Sequence, residues 1–194
     1  MISSFPFPRD AWRFATVAGL VVVADQISKY VAVIGLTHPL GASADGFGAR
    51  LSRFLFERHP LRGEPVAVLD DFWHWRYAEN PGAAWSFLAT APEWFRKPFF
   101  LAVPVAAMIF IAIYAKKSEP DQGWLRFALA LVFGGALGNF LDRVRLGYVI
   151  DFIDWHWFDK ATWPTFNIAD AGISIGVAMM IAEMLFKKPQ PKGV

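Results

Sequence analysis

The 194-residue sequence contains no cysteine, which removes disulfides, thiol nucleophiles, Cys-ligated zinc and iron–sulfur clusters together. It is also short of charge. Asp, Glu, Lys and Arg make up 19% of the residues and leave a net charge of +2, with a pI near 9.0. The basic residues are scattered rather than striped along one face, so no nucleic-acid partner is expected. Histidine is scarce: His38, His59, His74 and His156 form no HExxH or other close ligand spacing, and no metal is expected. No internal repeat is present. Any chemistry must run on Asp, Glu, His, Ser, Lys or Arg.

What the chain has is apolar surface: 55% hydrophobic and 16% aromatic residues, with 9 Trp and 19 Phe, and a mean hydropathy of +0.34. A disordered chain is excluded, and the bilayer is the natural solvent. Four apolar stretches stand out, at about Trp12–Leu36, Pro98–Ala115, Trp124–Leu141 and Ile168–Phe186. Each is long enough for a helix rising about 1.5 Å per residue to cross a hydrocarbon core about 30 Å thick. Backbone groups cannot stay unpaired in lipid, so helices are expected. The whole chain, 1–194, then reads as a single integral membrane domain.

Orientation follows from the basic residues of the short loops. Arg9, Arg13, Lys116, Lys117, Arg126, Lys187, Lys188 and Lys192 flank one side, against Arg143, Arg145 and Lys160 on the other. Both termini are therefore expected in the cytoplasm, with Gly35–Lys97 and Asp142–Asn167 outside. Arg9 and Arg13 precede Ala15–Val23 as in a cleavable signal, but no small-residue cleavage site follows and the helical pattern continues through Asp25, so the first span is read as retained. Pro65–Tyr77 reads as extended structure, and Thr37–Glu64, rich in Gly, Pro and Arg, as a surface excursion. Trp155, Trp157, Phe158 and Trp163 read as an interfacial aromatic belt. The fold class expected is an all-α membrane protein of four transmembrane helices, with a small periplasmic extended platform between the first two spans.

An ionisable side chain at the bilayer centre costs at least about 2.5–3.5 kcal/mol, so each one in a span is a functional suspect. Asp25 and Lys29, four residues apart on one helical face, can neutralise each other. Gly134 with Gly138, and Gly172 with Gly176, have the small-xxx-small spacing of close-packed membrane helices. Such packing would bring Asn139 and Arg143, ending the third span, level with Asn167 and Asp170, opening the fourth. Asn167 and Asp170 also have the spacing of a capping box. Asp151 stands alone in the apolar run Val149–Ile153, where desolvation should raise its pKa. Two carboxylates in a partly dry site share a proton, leaving one as base and the other as acid. Ser86 and Ser174 have no base near them in sequence, and a Ser–Lys pair would need Lys29.

Five segments together resemble the lipoprotein signal peptidase family, signal peptidase II. They are Asp25-Gln-Ile-Ser-Lys29, Asn80-Pro-Gly-Ala-Ala84, Gly134 through Arg143, Val149-Ile-Asp-Phe152 and Phe166-Asn-Ile-Ala-Asp170. They stand in the family's order and four-span layout. The resemblance implies a bacterial inner-membrane aspartyl endopeptidase that removes the signal peptide of prolipoproteins, cutting before a diacylglyceryl-modified Cys. It implies Asp151 and Asp170 as the catalytic pair, Asn80, Asn139, Arg143 and Asn167 as supporting or substrate-contacting residues, and Asp25 and Lys29 as the polar pair of the first helix. Asp142 competes for the place of the first acid, or holds the end of the third helix. The resemblance also implies globomycin binding. Prolipoproteins and membrane lipids are the expected partners of a monomer that needs no cofactor. Pro81 departs from the family pattern by removing a backbone donor beside Asn80. Other classes compatible with buried charges are a small proton-coupled transporter and a non-catalytic lipid-binding chaperone.

Overall fold

The structure, a computed structural model, describes residues 11–37, 46–58, 62–82, 88, 90–119 and 122–186. Arg9, His38, His59, Ala83, Ala84, Ser86, Lys187, Lys188 and Lys192, singled out above, lie outside the described residues.

Among the described residues, four helices are long and apolar enough to cross a membrane. They are α1 (Ala11–Leu36), α3 (Glu93–Lys117), α4 (Gly123–Leu146) and α5 (Ile168–Phe186). The second starts five residues before Pro98, at Glu93 behind Pro92, and its first turn carries the exposed Trp94. The third does not stop at Leu141. It runs on through Asp142 and Arg143 because these polar groups find partners inside the protein, and it ends where Gly147 turns left-handed at φ 83° and its N–H reaches the Arg143 carbonyl.

Within the expected surface excursion lies a further helix, α2 (Phe47–Phe56). Phe47, Leu51, Phe54 and Leu55 recur at helical spacing. Phe54 is buried, with its ring 5.4 Å from that of Tyr30, while Phe47 and Phe56 stay exposed. Two glycines and three arginines within a few residues mask this short period in the sequence.

The sheet is antiparallel, in the order β1 (Val66–Leu69), β2 (Trp73–Asn80), β3 (Val149–Trp157), β4 (Ala161–Thr162). Its first hairpin is the platform expected between the first two spans. Its other half, β3 and β4, comes from the segment between the last two. Trp75 pairs with Ile153 but Ala78 pairs with Asp151, so β2 carries one extra residue between them. A one-residue slip exchanges the two faces of a strand. Asn80, rather than Glu79, therefore shares the face of Asp151.

Helix α4 is central, packing against α1, α3 and α5. Its glycines permit this: a Cβ on Gly134 would stand 2.6 Å from the Ala18 carbonyl oxygen, and one on Gly138 would stand 2.7 Å from an Asp25 carboxylate oxygen. Above the helices a buried cluster joins Val33 and Leu36 of α1, Phe54 of α2, Tyr77 of β2 and Ile150 and Phe152 of β3. This cluster fixes the sheet over the ends of α1 and α4.

Candidate active site

Polar side chains collect where α1, α4, α5 and β3 meet. The start of α5 explains why. A helix leaves its first N–H groups unpaired, and here they are satisfied from two directions. Asn167 Oδ1 accepts from the Asp170 N–H at 3.0 Å, and Asp170 Oδ2 accepts from the Asn167 N–H at 3.3 Å, which is a reciprocal capping box. Asp25, from α1, accepts from the Ala169 N–H at 3.0 Å. Just before the cap, Phe166 exchanges backbone hydrogen bonds with Ile153. The cap of α5 is thereby pinned to β3, beside Asp151.

The capping carboxylate also belongs to a second network. Asp170 Oδ1 accepts from Asn139 Nδ2 at 2.7 Å. Asn167, fully buried, donates its amide to Asp151 Oδ1 at 2.7 Å, to Asn139 Oδ1 at 3.1 Å and to the Ile150 carbonyl at 3.2 Å. Asn80 donates to Asp151 Oδ2 at 3.1 Å as a diagonal neighbour across β2 and β3. Asp151 and Asp170 thus share Asn167 as a bridge, and each has a further Asn of its own. Burial and the nearby charge of Asp170 push the Asp151 carboxyl up to about 7, against the pull of its two amide donors.

Asp25 and Lys29 form a separate cluster. Lys29, with no exposed surface, spends its three N–H bonds on Asp25 Oδ2 at 2.8 Å, Asp142 Oδ2 at 2.8 Å and Asn139 Oδ1 at 3.1 Å. Asp142 also accepts from Arg145 at 3.0 Å, from Gln26 at 3.1 Å and from the Ile150 N–H at 3.2 Å. Of the two parts considered for Asp142, the structure displays the second: it ties the end of α4 to α1 and β3. Gln26, whose role the sequence does not reveal, bridges Asp25 and Asp142. Its place next to Asp25 was the one signal that could have marked it. A Ser–Lys arrangement finds no geometry, because the three partners of Lys29 are two carboxylates and an amide.

Arg143 lies beside the pair. Its guanidinium donates to the Gly82 carbonyl at 2.8 Å and covers the Phe100 ring at 5.1 Å. Pro81 is accommodated because Asn80 Oδ1 accepts from the Gly82 N–H at 3.1 Å, a turn that asks nothing of the intervening nitrogen. The sheet brings His74 and His156 into a stack with ring centroids 4.4 Å apart, a meeting invisible in their spacing. No group of three or more His, Asp or Glu placed to hold a metal ion occurs among the described residues. Trp155, Trp157, Phe158 and Trp163 are exposed, as an interfacial belt requires.

This arrangement can hold one proton between two buried carboxylates, oriented by neutral amides, next to a structural charge cluster that is internally neutralised. Comparison with known proteins agrees with the motifs. Residues 17–186 match the family model described as signal peptidase (SPase) II. The chain is 43% identical over 180 residues to the lipoprotein signal peptidase of Anaeromyxobacter sp. (strain Fw109-5), covering 90% of this chain and 85% of that one. It is 37% identical over 182 residues to that of Pseudomonas aeruginosa (strain UCBPP-PA14), covering 94% and 92%. Its fold superposes on a bacterial membrane enzyme solved by the in meso method at 2.3 Å, with a TM-score of 0.68 and 29% identity over 94% of each chain. With five motifs, four spanning helices and these relatives in agreement, the chain belongs to the signal peptidase II family, the lipoprotein signal peptidases of bacterial membranes.

Proposed function

We propose that this protein cleaves prolipoproteins immediately before the diacylglyceryl-modified Cys, with Asp151 and Asp170 activating a water. The observation that carries this reading is the buried pair itself: two carboxylates joined by Asn167, with no Lys or Arg in ion-pairing distance of either among the described residues.

The ionised member of the pair takes a proton from water as the water oxygen attacks the scissile carbonyl carbon. The protonated member donates to the carbonyl oxygen, giving a neutral tetrahedral diol. Collapse of the diol breaks the C–N bond. One diol proton returns to a carboxylate while the other carboxyl protonates the leaving nitrogen, so the pair ends with the single proton it began with. The proton belongs to the pair rather than to either residue. Asn80, Asn139 and Asn167 hold the carboxylates in place with donors that carry no charge, and so do not lock them in the ionised form. Arg143, whose guanidinium spans Gly82 and Phe100, is placed to meet the substrate backbone at the rim.

The basic residues Lys116, Lys117 and Arg126 at the opposite helix ends support cytoplasmic termini and a site near the periplasmic face. The substrate's signal helix and lipid would enter from the membrane side, and the protein would act as a monomer. The test is to incubate the purified protein with a diacylated prolipoprotein and with its unlipidated form. A gel shift in the lipidated sample only is expected, and it disappears in Asp151→Asn and Asp170→Asn. Full processing by either variant overturns the proposal.

A further inference from the structure

The arginines of the first outer segment have no part in the motifs, yet one of them, Arg58, helps to line a cavity of about 290 Å³ between the start of α3 and the end of α4. Five cations line it, Arg58, Arg96, Lys97, Arg143 and Arg145, and none of its described lining residues is an acid. They converge closely: a Cβ on Gly147 would lie 3.9 Å from a terminal nitrogen of Arg58 and 4.0 Å from Lys97 Cε. Four carboxylates act on these five cations: Asp142, Asp151 and Asp170 reach Arg143 through space, and Glu93 reaches Arg58 as well as Arg96 and Lys97. Glu93 pairs with Lys97 at 3.0 Å and lies 3.8 Å from Arg96, and Asp142 pairs with Arg145 at 3.0 Å while also serving Lys29. Arg58 and Arg143 have no carboxylate in ion-pairing distance among the described residues. Nε of Arg143, a residue of the cavity lining, is buried without an acceptor, while the Arg145 guanidinium, with two buried nitrogens unpaired, lies 4.3 Å over the Phe54 ring. Buried donors are rarely left so, and a positive excess in a recess calls for an anion.

The depth of the cavity narrows the choice. It lies at the ends of two spanning helices, where headgroups sit, and Phe100 and Leu101 supply an apolar wall along the helix that continues into the membrane. Guanidinium forks suit phosphate oxygens, and clustered basic residues at this level attract anionic lipid. We propose that this cavity binds the phosphodiester headgroup of an anionic phospholipid, with its chains running down the outside of α3 and α4. From Arg143, hydrogen bonds run through Gly82 to Asn80, which holds Asp151. The bound lipid would therefore sit at the rim of the proposed catalytic site without touching its carboxylates.

Binding can be read without proteolysis. The protein is placed in phosphatidylcholine nanodiscs containing a minor share of phosphatidylglycerol, and the lipid it retains on release is counted by native mass spectrometry. Each basic residue near an anionic headgroup is worth about fivefold in binding, so Arg58→Gln/Lys97→Gln should retain phosphatidylglycerol about 30-fold more weakly. Arg58→Lys/Lys97→Arg should keep it, and Lys116→Gln/Lys117→Gln, which removes the same charge from the opposite helix ends, should match the wild type. Equal retention by the wild type and Arg58→Gln/Lys97→Gln, or equal losses from the two Gln pairs, overturns the site. Should thermal unfolding reveal damage to the double variant, Arg58→Gln alone serves, with about a fivefold loss expected and no loss overturning the proposal. Inorganic phosphate, at matched ionic strength, should displace the lipid no better than chloride. Efficient displacement assigns the cavity to free phosphate and overturns the lipid reading.

Discussion

Two groups of buried carboxylates lie side by side in this protein and are built on opposite plans. Asp25 and Asp142 close around Lys29, with Arg145 and Gln26 completing the set, and each carboxylate has a cation at 2.8 Å. Asp151 and Asp170 have amides instead, from Asn80, Asn139 and Asn167. A cation holds a carboxylate ionised, whereas an amide orients it and leaves its proton free to come and go. The first plan fastens helices together, and the second suits acid and base chemistry. One residue, Asn139, faces both, accepting from Lys29 and donating to Asp170.

The sharpest way to break this contrast is to neutralise one acid in each group. Asp151→Asn or Asp170→Asn should lower kcat by about 10²–10⁴-fold in a protein that still folds, measured on lipidated substrate. If Asp142→Asn, at unchanged stability, lost as much, the division of roles would fail. Removing the cation from the first group should act on stability. Lys29→Met leaves buried Asp25 without a cation and Asp142 with Arg145 alone, and is expected to cost about 3–5 kcal/mol in detergent unfolding. Adding Asp25→Asn and Asp142→Asn should restore part of that loss. Asn167→Ala removes a helix cap, at about 0.5–2 kcal/mol, together with the bridge between Asp151 and Asp170. Asn167→Ser should recover the cap but not the bridge, so stability returns while kcat stays low.

The smallest effect expected is the dependence on pH. With Asp151 pushed up to about 7, the pair keeps its proton below that pH and loses it above, so kcat/KM should fall on a basic limb near 7. A carboxyl whose folded pKa is raised above its ordinary value of 3.8 binds more protons folded than unfolded between those values. Its contribution to stability therefore declines as pH rises through that window. Asp151→Asn should melt at a higher temperature than the wild type at about pH 8, with the gap closing towards about pH 4. A gap that does not change with pH would place the titration elsewhere.

Local sequence was enough for the four spanning helices, because bilayer thickness and backbone hydrogen bonding admit no other use for apolar runs of that length. It was enough, too, for the suspects: charge is costly in apolar surroundings, so Asp25, Lys29, Asp151 and Asp170 stand out, and all prove to be buried or half-buried at one junction. The helix boundaries were harder. Asp142 and Arg143 look like the end of a span until Lys29 and Gly82 are seen to receive them.

Contacts between distant segments lay beyond the local pattern. The pairing of β2 with β3 joins two segments between spans whose paired residues lie 69–82 positions apart, and the extra residue in β2 turns Asn80 rather than Glu79 towards Asp151. A period of two read along one strand carries no record of a register slip, since the slip is defined only against the partner strand. The same holds for the basic cavity, which takes Lys97 from α3, Arg145 from α4 and Arg58 from the chain beyond α2. Composition and spacing determine which groups must be rescued from lipid. Which of them become an ion cluster, and which a pair free to exchange a proton, depends on the neighbours that packing provides.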